Sequence, residues 1–216
     1  MEKTVERNTK IQLTDKEIFT KIWTKPRQVL KFINENHYDK FLYVLLFFAG
    51  VSRSLNSVNH KQYGDDVSSL KVLTLLIIIG GLLGWIYYYI YSALISWTGE
   101  WLNGKGDTKS ILRVIAYAMI PAIIGLIMII PQLAIYGNEI FKENGDTISA
   151  GLISNIIFYS SQIIQGILGI FSLVFIVTGI SEVQKLSIGN SILNLLLPLF
   201  VLGLPVLIIV LIIELI

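Results

Sequence analysis

The sequence predicts an all-α membrane protein, a bundle of five transmembrane helices preceded by an amphipathic interfacial helical segment. Three observations lead there. Five stretches, residues 38–58, 72–97, 111–136, 152–180 and 191–213, are too apolar and too long for a soluble core, and a helix needs about 20 mainly apolar residues to cross the hydrocarbon layer. Of the 216 residues, 54% are hydrophobic and only 15% charged, well off the composition of a soluble globular domain. The net charge is only +2, and nothing in it implies a nucleic-acid partner.

The chain divides into a polar tail over residues 1–13, a cytosolic amphipathic segment over 14–40 and a five-helix membrane domain over 41–216. In the amphipathic segment, Thr14 with Glu17 three residues later fits a capping box, and Ile18, Phe19, Ile22 and Trp23 fall on one helical face. Pro26 interrupts that helix and opens a second one with the stripe Val29, Leu30, Ile33. Arg27 and Lys31 on its other side give the pattern of a helix lying on an anionic membrane surface, while packing of the same stripe on the bundle explains it equally simply.

Within the membrane domain, Gly80 with Gly84, Ala118 with Ala122, and Gly166 with Gly169 offer small-residue faces on the second, third and fourth spans. Trp97 and Trp101 suit an interfacial belt. Pro121 and Pro131 are expected to interrupt the third span, and Pro198 and Pro205 the fifth. Interrupted helices free backbone groups and, in transporters, often surround a binding site. Asn155, Gln162 and Gln165 on the fourth span and Asn194 on the fifth are costly against lipid and are expected to turn toward other helices.

The positive-inside rule places the amino terminus in the cytosol and the carboxyl terminus outside, since only Arg53, Lys61, Lys71 and Lys142 then fall on the outer side. The tally is unchanged if the first segment fails to cross. Five spans are favoured because Arg53, near the outer end, can snorkel toward headgroups. With no short apolar run behind the start, the first membrane helix is expected to serve as the targeting signal.

Little chemistry is left to such a chain. Without cysteine there are no disulfides and no thiolate sites, and His37 and His60 lie outside the apolar cores. There is no His-Glu-x-x-His metal motif, and every Asp lies in a tail or loop. The turn Asn103-Gly104-Lys105-Gly106-Asp107 lacks the spacing and the terminal Lys-Ser/Thr of a phosphate-binding loop. No enzyme activity, metal or cofactor is therefore expected. Glu100, Arg113, Glu182 and Lys185, at the ends of spans, are the candidates for a charged cytosolic face, with Glu100 and Arg113 as one possible pair.

Trp23-Thr24-Lys25-Pro26, the turn Asn103-Gly104-Lys105-Gly106, Ala116-Tyr117-Ala118 ahead of Pro121, and Gly179-Ile180-Ser181-Glu182-Val183 closing the fourth span together resemble the Yip family, in its bacterial type, over residues 20–210. The resemblance implies a cytosolic amino-terminal segment and five membrane helices. It also implies a tie to small GTPases in eukaryotic members, some of which carry an Asp-Leu-Tyr-Gly-Pro stretch. This chain lacks that stretch, which puts a small-GTPase contact in doubt and favours a bacterial plasma membrane.

The expected function is that of a non-enzymatic polytopic protein that organises the bilayer or recruits a protein partner, including a second copy of itself. The alternative is a small permease or channel for ions or small solutes.

Overall fold

Residues 12–58, 69–141 and 151–214 of the computed structural model are described below. The rest of the polar tail, residues 1–11, lies outside them, as do His60, Lys61 and Lys142. The described residues are helices and short turns. In order they are α1 (Asp15–Lys21), α2 (Pro26–Glu35), α3 (Leu42–Val58), α4 (Ser69–Glu100), α5 (Thr108–Ala118), α6 (Ile120–Gly125), α7 (Ile129–Tyr136), α8 (Leu152–Gln184) and α9 (Ile188–Glu214). Short 3-10 segments at Leu126–Met128 and Gly137–Phe141 follow α6 and α7. Four segments are long and apolar enough to cross a membrane, and α3 adds a shorter apolar stretch, Leu42–Leu55.

The capping box opens α1. The Thr14 hydroxyl accepts from the Glu17 amide at 3.4 Å, and the Thr14 amide donates to the Glu17 carboxylate at 2.9 Å. Pro26 sits in the first turn of α2, where no intrahelical N–H is required. Ile18, Ile22, Val29, Leu30 and Ile33 are all fully buried, with α2 packed on α5 and α8. The stripe that looked suited to a membrane surface is thus taken up by the bundle, while Phe19 and Trp23 stay half-buried at its edge, Trp23 against the exposed Phe171.

α3 and α4 form an antiparallel pair held by glycine. Gly50 faces Gly80 and Gly84 so closely that a Cβ at Gly50 or Gly84 would collide with the opposing backbone. Water-driven burial does not pull helices together in lipid, and close backbone approach takes its place. Gly166 and Gly169 behave differently: a Cβ at either would meet nothing within 4 Å, so they make no close helix contact among the described residues.

Arg53 is exposed and has an aromatic partner on α4. Its guanidinium lies 3.8 Å from the centroid of the Tyr87 ring, back along α4, in a cation–π contact. Trp97 and Trp101 stay exposed and meet edge to face, with centroids 5.1 Å apart. Leu75, Ile78, Leu82, Ile86 and Ile90 on α4, with Ile156, Ile163, Ile167 and Ile170 on α8, leave a broad apolar exterior. A soluble monomer rarely exposes so much continuous apolar surface; lipid covers it.

The prolines divide into two kinds. The third apolar stretch breaks at Met119, just before Pro121, and loosens again at Leu126–Met128 before Pro131 enters the first turn of α7. The Ala122 amide donates to the Ser172 hydroxyl at 2.9 Å and the Ser52 hydroxyl donates to the Ala122 carbonyl at 3.4 Å. Backbone groups at the break are thereby tied to α3 and α8, as lipid requires. Pro198 and Pro205, in contrast, lie inside a continuous α9 and do not interrupt it. In the turn before Pro198, the Tyr91 hydroxyl donates to the Leu195 carbonyl at 2.9 Å.

Candidate functional site

The polar side chains gather at one end of the bundle, where α1, α2 and the 101–107 turn cover the start of α5, the end of α8 and the start of α9. At its centre lies Gln184, fully buried at the last turn of α8. Its amide nitrogen donates to the Ile95 carbonyl at 3.1 Å and the Asn194 side chain at 3.3 Å, and its oxygen accepts from the Gly106 amide at 2.8 Å. Asn194, equally buried, donates to the Ile95 carbonyl and the Thr98 hydroxyl, both at 3.0 Å.

Gly99, Gly104 and Gly106 surround the Gln184 side chain. A Cβ at Gly99 or Gly104 would run into its carboxamide, and one at Gly106 into Val183 and the same carboxamide. The glycine-rich turn is therefore a wrapper for one glutamine. Asn103 adopts a positive φ of 63° within it, a conformation asparagine tolerates.

Charged groups surround this knot in three sets. Glu182, almost buried, pairs with Arg27 of α2 and lies 3.9 Å from Lys185. Asp39, between α2 and α3, accepts from Arg113 at 2.6 Å and pairs with Lys109 at 3.3 Å. Asp15 pairs with Lys40 and accepts from the Tyr38 hydroxyl. Each set ties the amino-terminal segment to itself or to the bundle.

The same contacts shift proton affinities. The Arg113 guanidinium, helped by Lys109, holds Asp39 below the usual carboxylate range, and Lys40 with Tyr38 does the same for Asp15. Lys21 and the capping contacts of Thr14 bring Glu17 down to about 2. Burial, reinforced by Asp15, pushes the Tyr38 phenol up to about 12. All four groups keep the charge state in which their contacts form across the physiological range.

Of the four charges expected at this face, Glu182 and Lys185 come together, whereas Arg113 turns to Asp39 and Glu100 stays exposed without an ion pair among the described residues. A Glu100–Arg113 pair does not form, because Asp39 reaches the guanidinium first from the α2–α3 turn. Among the four amides, Asn194 joins the knot, and Asn155 accepts from the Tyr136 hydroxyl at 2.6 Å at the opposite end of α8. Gln162 and Gln165 are half-buried.

Gln165 also lines a cavity of about 60 Å³ beside the broken third stretch, with Ser52, Gly125, Gln132 and Gly169 among its other walls. Gln184, Asp39 and Gln132 are not among the residues the sequence singles out, and Arg27, expected on a membrane-facing basic side, pairs with Glu182. Gln184 carries no local signal, since it lies past the predicted end of the fourth stretch at residue 180 and its glycine-rich partner turn is about 80 residues away in sequence. Asp39 does carry one, as an acid at the start of the first apolar stretch.

No three His, Cys, Asp or Glu side chains among the described residues are grouped to hold a metal ion. What the face offers is fixed charge and shape. The class is thus an all-α integral-membrane protein with a braced polar cap. The Yip1 domain matches residues 20–210 of this chain, and the chain belongs to that family. No curated protein and no solved structure matches it.

Proposed function

We propose that the chain is a non-enzymatic membrane adaptor whose braced polar cap faces the cytosol and recruits a protein partner, with five helices crossing a bacterial plasma membrane and the carboxyl terminus outside. The observation that supports this reading most is the locking of α1 and α2 onto the bundle by their whole apolar stripe and by the Arg27–Glu182 and Arg113–Asp39 pairs. A segment held this way is a fixed surface rather than a wedge. Pre-ordering lowers the cost of binding. Lys16, Lys25, Arg27, Lys105, Lys109 and Lys185 are exposed on it, so the partner surface is expected to be acidic.

Photocrosslinkers at Lys16 and Lys105 in native membranes test this, with Lys105→Glu and Lys25→Glu as charge reversals. Adducts to one protein that disappear on reversal, at unchanged thermal stability, are expected. Absence of any adduct, together with unchanged membrane shape on deletion, contradicts the adaptor.

A small permease is the second reading, favoured by the cavity beside the broken third stretch. Solute flux into liposomes holding the purified protein is its test. No flux across a broad panel removes it.

A further inference from the structure

Exposed apolar side chains on two elements run right up to the polar cap. On α4 they continue past Ile90 to Trp97 and Trp101, each about half exposed, and on α9 they begin with Ile188 and Ile192 in its first two turns. Exposed tryptophans of this kind mark the level where hydrocarbon gives way to headgroups. The turns at 101–107 and 185–187 follow directly, at headgroup height.

Three cations come together there. Arg27 and Lys185 reach the two oxygens of one Glu182 carboxylate, Lys185 at 3.9 Å. The acid side chain is sunken at 10% exposure, while those of Arg27 and Lys185 are 65% and 54% exposed. Lys105 joins them because its amide donates to the Gln184 carbonyl at 3.1 Å, one residue from Lys185. Arg27 spends only its Nε on Glu182, and its two terminal nitrogens make no bond among the described residues. Of the acids in the α4–α5 turn, Asp107 gives its oxygens to Ser110 and Glu100 is exposed.

We propose that Arg27, Lys105 and Lys185 form a site for the phosphate of an anionic phospholipid in the leaflet on the cap's side. A planar guanidinium with free N–H groups matches phosphate oxygens, and each ammonium adds a point charge. The sunken carboxylate aligns two of the cations without cancelling both. Trp101 and Ile188, beside the two turns in sequence, give the lipid chains apolar contact. The site goes beyond the adaptor reading and does not rest on it, since a lipid at this rim leaves Lys16 and Lys25 open to a protein. Failure of either test leaves the other standing.

Native mass spectrometry of the full chain, released from micelles holding equal amounts of phosphatidylglycerol and phosphatidylcholine, tests the site. Preferential retention of phosphatidylglycerol is expected. A Lys or Arg near an anionic surface contributes about fivefold in binding, so Lys185→Gln and Lys105→Gln are each expected to cut that retention about fivefold. Lys16→Gln removes the same charge from α1 and is expected to leave it unchanged.

Equal retention of the two lipids overturns the proposal. So does an equal loss with Lys16→Gln and Lys185→Gln, which is general attraction to a basic surface. Displacement of phosphatidylglycerol by millimolar inorganic phosphate overturns it as well, because the site then takes a free anion instead of a headgroup. Should Lys185→Gln fail to fold, Lys105→Gln decides alone, its side chain being exposed and without an ion pair among the described residues.

Discussion

Arg113 is 1% exposed, and the carboxylate that neutralises it is more than a third open to its surroundings. Removing one partner of a buried pair typically costs about 3–5 kcal/mol because a charge is left stranded, so Asp39→Asn is expected near the lower end, about 3 kcal/mol, in detergent unfolding. Glu100→Gln, at an exposed position without an ion pair among the described residues, is expected to stay within about 0.5 kcal/mol. Exchanging Asp39 and Arg113 together is expected to recover part of the loss. Acid acts on the same residues. Asp15, Glu17 and Asp39 all have lowered pKa values, so the unfolded chain binds more protons than the native one as pH falls. Their stabilisation is complete above the ordinary carboxylate range and fades on acidification, for Glu17 between 4.5 and about 2. Thermal midpoints measured down a pH series check the sign.

Between elements, two contacts carry most of what is specific. The α3–α4 pair depends on glycine facing glycine, so Gly84→Leu is expected to separate the helices and abolish recovery of folded protein, while Gly166→Ala leaves the thermal midpoint unchanged. The knot is tested by Gln184→Leu. It leaves the Gly106 amide without its acceptor and Asn194 without one donor, and an unsatisfied buried group costs about 1–3 kcal/mol; about 2 kcal/mol is expected in the same unfolding measurement. Sequence periodicity exposed the apolar stretches because each is a local property of some 20 residues. Gln184 was not legible in the same way, since its partners Ile95 and Gly106 are about 80 to 90 residues distant. Prolines mislead for a related reason. Pro121 coincides with a break that Ser52 and Ser172 can stitch, whereas Pro198 is carried within a long packed helix, a difference that depends on neighbours rather than on proline.

For the molecule as a whole, the all-α membrane class followed from composition, and the braced cap did not. Arg27 and Asp39 meet Glu182 and Arg113 only because α3 carries the chain away from this face and α4 returns it. At 17 residues α3 is about 25 Å long, short against a hydrocarbon layer of about 30 Å, and the proposed five-span path has it cross nonetheless. On that proposed path Thr20, Lys105 and Lys185 share one side of the membrane, and Gly137 and Gly151 the other. The chain has no cysteine, so single cysteines at these five positions, labelled with a membrane-impermeant maleimide in sealed right-side-out vesicles and again after permeabilisation, report the arrangement directly. Labelling of positions 137 and 151 in sealed vesicles, and of 20, 105 and 185 only after permeabilisation, is the predicted pattern. Labelling of position 20 from the side opposite to 105 and 185 would contradict the cap and the five-span path together.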